Sequence, residues 1–242
     1  MTVPSYDFGL SGGPTVFTLT TLRNRVRERV DMVGSSFITD TSTSLDAWIN
    51  EANQKLHGML VDAYGEEYAS SESDFTTVSG QSDYAIATGF FKLYGVDLNY
   101  NGDWRTLLPY TRAERNTYRN SRTMGWSLPK YALVGNYVRL YPIPQAGLSG
   151  KILFAPGPAT LASGTDTVEY PNGWDRFIVV DAAIQALAKE ESSASALIAE
   201  REAIRQEIEK AKELRDLAAP RQVTDMDNVD TEPWLYWPTA TP

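Results

Sequence analysis

The chain has 242 residues, 42% of them hydrophobic, with no cysteine and a formal net charge of −9. This length allows one large domain or two small ones, and the lack of cysteine excludes disulfides and thiolate metal sites. The acidic balance argues against a general affinity for nucleic acid, which needs basic surface to release counterions. An acidic wall would still let DNA pass without holding it.

The sequence shows no segment typical of membrane insertion or secretion. No apolar run approaches the roughly 20 residues that a membrane helix requires. The first residues lack the basic start and the apolar core of a signal peptide. We therefore expect a protein made in a reducing cytoplasm that does not enter a membrane.

The chain begins with a predicted arm and an amphipathic helix. Residues 1–18 are rich in glycine, serine and proline, which predicts a flexible arm that either frays or inserts aromatic side chains into a neighbour. From Leu19 to Val33 apolar residues recur at helical spacing. Four arginines flank this apolar stripe, namely Arg23, Arg25, Arg27 and Arg29. Their stems either cover the rim of a buried stripe, or their charged groups bind carboxylates of a neighbouring subunit or face a DNA channel.

A second helix and then a change of period follow. Apolar residues from Leu45 to about Tyr64 keep helical spacing behind a polar start at Thr43. From Asp74 the period at which apolar residues recur falls from 3.6 to 2 residues, and a period of 2 is typical of strands. The sequence therefore predicts a small antiparallel sheet between two helical segments.

Glycine-containing turns divide the sheet region. Short strands are predicted on either side of three turns, at Gly80-Gln81, Asn101-Gly102 and Gly135-Asn136. The Asn-Gly pair is the strongest of these signals, because both residues readily adopt positive φ. A further strand is predicted at Lys151–Phe154, and a capping box between Thr111 and Glu114 predicts a short helix.

Two consecutive helices are predicted between Trp174 and Ala218, with a joint at Ser192-Ser193. One face of this stretch is apolar, and the opposite face of the second helix carries charged pairs three and four residues apart. Each such pair contributes only about 0.2–0.5 kcal/mol to the stability of the helix. The pairs chiefly indicate that this face is exposed to solvent. Pro220 ends the second helix because it has no N–H and clashes with the preceding turn.

The C-terminal segment loses this periodicity. Acidic residues precede an aromatic cluster, which consists of Trp234, Leu235, Tyr236 and Trp237. Such a cluster is costly to leave in water, at about 25 cal/mol per Å² of apolar surface. It either folds back onto the helices of its own chain or inserts into another protein.

These patterns predict an α+β protein that is mainly a bundle of long amphipathic helices, with a small antiparallel β insertion and extended termini. The predicted divisions are an N-terminal arm (1–18), a helical domain (19–73 with 171–218), an inserted β region with a short helix (74–170) and an extended C-terminal arm (219–242).

The sequence offers no convincing active site. Ser11 stands in a G-x-S-x-G pattern, but no strand precedes it, and the only histidine, His57, lies within a predicted helix. The acidic residues at 225, 227 and 230 resemble the start of a calcium loop but lack its glycine and its closing glutamate. We therefore predict no enzyme activity, cofactor or metal, and favour a structural or interaction protein.

The order of several segments resembles a known family. The segments are Leu45–Asn53, Thr77–Ile86, Phe90–Val96, Pro129–Pro144, Asp166–Pro171 and Trp174–Ala183. Together they are similar to the head-to-tail adaptor proteins of short-tailed bacteriophages, which form the neck attached beneath the portal. The resemblance covers about residues 19–215.

This resemblance implies a structural virion protein in the neck of the tail. It implies a homo-oligomeric ring, twelve-fold in such necks, that binds the portal protein above and a tail or nozzle protein below. Double-stranded DNA would pass through its centre without specific binding. The partner-binding residues expected on this basis are the aromatic cluster at 234–237 and the four arginines of the first helix.

Two other functions stay open at this stage. One is a tail-tube or nozzle subunit of the same particle, since analogy of fold is a soft argument for function. The other is a glycan-binding module, because the chain has 13 tyrosines and 6 tryptophans that can stack on sugars. Such modules are usually all-β, whereas the longest periodic segments here are helical.

Overall fold

The computed structural model describes residues 15–32, 43–119, 128–170 and 173–216. Within these ranges the chain forms five helices and nine strands. The helices are α1 (Leu19–Arg29), α2 (Thr43–Tyr64), α3 (Arg115–Arg119), α4 (Arg176–Lys189) and α5 (Ser195–Asp216). The strands are β1 (Thr15–Thr18), β2 (Ser71–Thr76), β3 (Asp83–Ala85), β4 (Phe90–Tyr100), β5 (Asp103–Thr106), β6 (Lys130–Val134), β7 (Tyr137–Tyr141), β8 (Ser149–Pro156) and β9 (Thr167–Tyr170).

The expectation of a mainly helical bundle with a small β insertion is wrong. The described strands build three antiparallel sheets, with the orders β1-β9, β2-β8-β4-β5 and β3-β7-β6. The sequence pattern underestimates them because β4 contains two register shifts that interrupt its alternation. β1 lies within the predicted N-terminal arm, and β9 is only four residues long.

Four of the five described helices share one hydrophobic core. α1, α2, α4 and α5 contribute fully buried side chains such as Leu22, Ile49, Ile178 and Ile204. The β1-β9 ribbon closes one side of this core, and its Tyr170 is buried there. Residues from both ends of the chain therefore depend on the same apolar contacts for stability.

The two larger sheets share a second core. Alternate residues of their strands meet inside it, including Val96, Leu98, Val138 and Ile152, all fully buried. This arrangement follows the period-2 pattern of the sequence, in which every second side chain of a strand points to the same face. The sheets are therefore held together by their own core rather than by the helices alone.

Two of the three predicted turns form hairpins, and the third does not. Asn101 and Gly102 have φ of 56° and 96° between β4 and β5, and Gly135 has φ of 61° between β6 and β7. The strands on either side of Gly80 do not pair with each other, because β2 pairs with β8 and β3 with β7. The turn at Gly80 thus leads the chain from one sheet into another.

The helix ends differ slightly from the prediction. α1 ends at Arg29 rather than Val33, because Asp31 adopts a φ of 56°, which a right-handed helix does not accommodate. Glu191 has a φ of 58°, which interrupts the helical conformation between α4 and α5 next to the predicted joint. Thr18 caps the start of α1 by accepting the Thr21 N–H at 3.1 Å.

Candidate partner-binding surfaces

Arg23, Arg25 and Arg29 of α1 bind carboxylates that belong to the described residues of their own chain. Arg23 donates two hydrogen bonds to Asp46 at the start of α2, at 2.6 and 2.7 Å. This forked geometry is strong because two parallel bonds fix both planar groups. It also raises the pKa of Arg23 above its usual value, with the hydrogen bond to Asp46 as the largest cause. Arg23 therefore ties α1 to α2.

Arg25 and Arg29 lie on the other side of the stripe and reach towards the C-terminal helices. Arg25 approaches the buried Asp175 at 3.4 Å and stacks on the Phe17 ring, with its guanidinium carbon 3.9 Å from the ring centre. Burial raises the pKa of Asp175, and the charge of Arg25 opposes that shift. Arg29 donates to Glu200 of α5.

Arg25 and Arg29 also line a cleft of about 340 Å³ between α1, α4 and α5. Arg176 stands in the same cleft and donates to Glu207 on α5. The side chains of Arg25 and Arg29 are 44% and 42% exposed, so each is partly accessible to solvent. The cleft therefore presents cationic groups that are already partly neutralised within the chain.

Arg27 differs from the other three arginines because its side chain is buried. The residue is only 5% exposed, and this burial lowers the pKa of its guanidinium. It is thus not available at the surface of this subunit in the way that Arg25 and Arg29 are.

The residues considered for chemistry do not form a catalytic site in the described ranges. The His57 ring bonds the carbonyl oxygen of Pro156 at 2.8 Å and packs between Tyr68 and Phe91. Ser11 and the acidic residues at 225–230 lie outside the described residues, as does the aromatic cluster at 234–237. In the described part of the chain, no group of three or more histidine or carboxylate side chains could hold a metal ion.

A concave surface lies between the two larger sheets, in a groove of about 780 Å³ that we call the β4–β6 groove. Its walls come from the start of β4, the segment before α3, and the hairpin of β6 and β7. The residues that line it are Phe90, Phe91, Lys92, Leu93, Pro109, Tyr110, Arg112, Arg115, Asn116, Tyr131, Ala132, Leu133, Val134, Arg139 and Tyr141. This composition combines aromatic surface with positive charge and resembles a protein-binding groove more than a reaction centre.

A family model described as SU10 adaptor protein matches residues 17–229, which is most of the chain. The chain belongs to the SU10 adaptor protein family. No curated protein matches the sequence. Membership confirms the resemblance to phage head-to-tail adaptors that the segment order indicated.

Membership in this family identifies the adaptor as a structural protein of bacteriophages and a component of the virion. It also implies association with portal and tail components of the phage. No helix in the described ranges of the adaptor has the length and apolar character needed to cross a membrane. The family match favours the adaptor function over the glycan-binding alternative.

Sequence reasoning missed the groove of this adaptor because its residues are scattered. Phe91 belongs to β4, Arg112 and Arg115 to the segment at α3, and Leu133 to β6. No local spacing joins these positions, since the sheet order brings them together. The sequence feature that could have indicated the groove is the alternation of side chains along each strand. It places Phe91 and Leu133 at exposed positions.

Proposed function

We propose that this adaptor forms a ring beneath the portal, joins the capsid to the tail and surrounds the path of the DNA. The observation that carries the proposal is the family match over residues 17–229. The net charge of −9 supports it, since an acidic lining does not retain a phosphate backbone. The proposed ring is dodecameric and stands in the neck of the tail, between the portal and a tail or nozzle protein.

Copy number in the virion tests this position. Quantitative mass spectrometry of purified particles, with the portal and major capsid proteins as internal standards, should give about as many adaptor as portal chains. A ratio several-fold away from one-to-one would contradict a ring matched to the portal. Absence of the chain from the particle would overturn the whole proposal.

The C-terminal arm is the proposed portal-binding element. Trp234, Leu235, Tyr236 and Trp237 provide a compact aromatic anchor, and aromatic side chains dominate the binding energy of many interfaces. Deletion of residues 221–242 removes this anchor and leaves every described helix and strand in place. We expect the shortened chain to keep its circular-dichroism spectrum and to lose binding to purified portal rings.

A matched variant separates the anchor from general loss of aromatic surface. Replacing the four anchor residues with serine should abolish portal binding, whereas Trp104→Ser should not, although Trp104 is 48% exposed on β5. Binding is measured by sedimentation of the adaptor with portal rings. Unchanged binding of the anchor variant would show that another surface meets the portal.

The exposed arginines of α1 are the proposed contacts between subunits of the ring. Arg25 and Arg29 are partly exposed beside the 340 Å³ cleft, and a guanidinium has five N–H donors, so each can bind a second carboxylate. Arg29→Gln, which leaves the buried Asp175 with its partner Arg25, should weaken ring formation on the portal while the monomer stays folded. Arg205→Gln, which removes an exposed arginine of α5, is the control and should assemble normally.

A further inference from the structure

The β4–β6 groove lies between two strand edges that are only partly covered. β4 pairs with β8 from Phe90 to Leu98, but β5 and the following Leu107 cover its other edge only from Val96 to Tyr100. β6 pairs with β7, and its outer edge meets the segment 108–110 only around Tyr131. Within the described residues, the start of β4 and the end of β6 therefore offer backbone groups to an extended chain.

The lining of the groove is positively charged. Four cations line it, and none of its lining residues in the described chain is acidic. Lys92 is neutralised by Asp62 at 2.8 Å, and Arg139 by Asp83 at 2.6 Å. The remaining two, Arg112 and Arg115, have no carboxylate partner among the described residues and are exposed. Their forked guanidinium groups suit carboxylates.

Apolar side chains complete the surface. Phe91 and Leu133 line the groove from its two strand walls and are 44% and 46% exposed. A ligand that covers them removes apolar surface from water, at about 25 cal/mol per Å². The chemistry that fits is therefore an extended peptide with carboxylates and interspersed apolar side chains.

We propose that the groove binds the acidic segment 225–232 of the same chain. This segment carries four carboxylates at Asp225, Asp227, Asp230 and Glu232, with Met226 and Val229 between them. It contains no proline, so every residue keeps the N–H that pairing with a strand edge requires. Charge complementarity with Arg112 and Arg115 selects it over the rest of the chain outside the described ranges.

α5 is linked to one wall of the groove through Asp62 of α2. Ile208 and Glu209 of α5 share a cleft with Asp62, and Asp62 accepts the hydrogen bond of Lys92, which lines the groove. The chain between Asp216 and residue 225 spans at most roughly 30 Å when extended, at about 3.3–3.6 Å per residue. The proposal requires that this length of chain covers the distance from the end of α5 to the groove within one subunit.

The other candidate occupant in the chain is the segment 120–127, which joins the two walls at α3 and β6 and lies outside the described residues. It carries Arg122 and no acidic residue, so its charge does not complement Arg112 and Arg115. The aromatic cluster at 234–237 lies beyond the acidic segment and stays free for another protein. Occupation of the groove thus sets where the portal-binding arm leaves the subunit.

Cross-linking in the full chain tests the proposal, because the protein has no cysteine of its own. Leu133→Cys with Val229→Cys places one thiol in the groove and one in the acidic segment. Ile198→Cys with Val229→Cys is the matched control, since Ile198 is also 46% exposed but lies on α5. With a short bis-maleimide at low protein concentration, we expect at least a tenfold higher yield of intramolecular cross-link for the first pair.

Charge reversal then tests the recognition. Arg112→Glu with Arg115→Glu should lower the yield of the Leu133–Val229 cross-link at least fivefold, and Asp225→Lys with Asp227→Lys added to it should restore most of the yield. Circular dichroism of each variant checks that these exposed changes leave the fold intact. Equal yields for the two cysteine pairs, a yield insensitive to charge reversal, or a product that migrates as a dimer would each overturn the proposal. Because the isolated chain is used, the outcome does not depend on portal binding.

Discussion

Arg201 on α5 donates a hydrogen bond of 3.0 Å to the carboxylate of Asp181 on α4. The second oxygen of the same carboxylate accepts a hydrogen bond from Lys55 of α2, also at 3.0 Å. Asp181 is only 1% exposed, whereas the two cations reach it from the surface. One buried charge therefore holds three helices together, since a carboxylate removed from water must be paired.

Replacing Asp181 with asparagine should lower the free energy of unfolding by about 2 kcal/mol, because one of the two hydrogen bonds is lost and the other loses its charge assistance. The loss stays moderate because Lys55 and Arg201 can return to solvent. Urea denaturation measures it. Asp62→Asn, which removes an exposed carboxylate paired with Lys92, is the control and should cost at most about 0.5 kcal/mol. Equal losses in the two variants would contradict the bridging role of Asp181.

Gly150 on β8 lies directly under the ring of Phe75 on β2, its partner in the strand register. A Cβ atom at this position would overlap the ring, which also packs against Tyr84 at 4.7 Å. Gly150→Ala should therefore destabilise the protein by about 2 kcal/mol, as overpacking of a core does. The measurement is the shift of the urea midpoint at constant slope.

Gly95 provides the control for this change. It lies in β4 with no atom near the position that a Cβ would take, and its φ is not positive. Gly95→Ala should leave stability within about 0.5 kcal/mol of the native protein, as expected for a substitution without strain or overlap. If Gly150→Ala is equally mild, the Phe75 ring moves aside and the close approach has no structural role.

His57 makes stability depend on pH near neutrality. Burial lowers its pKa below the ordinary value of 6.5, against the smaller opposing effect of the hydrogen bond to Pro156. Below pH 6.5 the unfolded chain therefore binds a proton that the folded chain does not. The stability that the neutral His57 ring contributes to the folded chain is complete above pH 6.5. It is lost as the pH falls towards the folded pKa.

The free energy of unfolding of the native protein should thus decrease between pH 7.5 and pH 5.5 more steeply than that of His57→Gln. Comparing slopes removes the constant cost of the substitution itself. Since His57 is the only histidine, its ring proton signal in NMR reports the folded pKa directly. A folded pKa at or above 6.5, or identical slopes for the two proteins, would refute this account.

The helices were more predictable from sequence than the sheets. α2 and α5 keep an apolar spacing over 22 residues each, so their existence follows from local pattern. β9 is only four residues long, and its partner β1 lies about 150 residues earlier in the chain. No local pattern contains such a pairing, because it depends on which segments the helical core brings together.

The arginines of α1 show the same limit at the level of single side chains. Their positions beside an apolar stripe were evident, but the sequence did not indicate that Asp46, Asp175 and Glu200 are the partners. These carboxylates stand on three other segments of the chain. The role of the arginines in binding another subunit stays a prediction, as does that of the aromatic cluster at 234–237.

Asn50 fixes the approach of the segment before β9 to α2. Its Oδ1 accepts the N–H of the buried Leu161 at 2.8 Å, and its Nδ2 donates to the Leu161 carbonyl at 2.9 Å. Asn50→Ala leaves both backbone groups without these partners, which should cost about 2 kcal/mol of unfolding free energy. Gln54→Ala, an exposed change on the same helix, should be nearly neutral and serves as the control.

Asn50→Asp distinguishes the two hydrogen bonds. The carboxylate still accepts from the Leu161 N–H but cannot donate to the Leu161 carbonyl, so this variant should lie between Asn50→Ala and the native protein in stability. Hydrogen exchange of the Leu161 amide gives the local readout, and it should accelerate in Asn50→Ala more than in Asn50→Asp. Equal acceleration in both variants would mean that helix packing, rather than this amide, positions the segment that leads into β9.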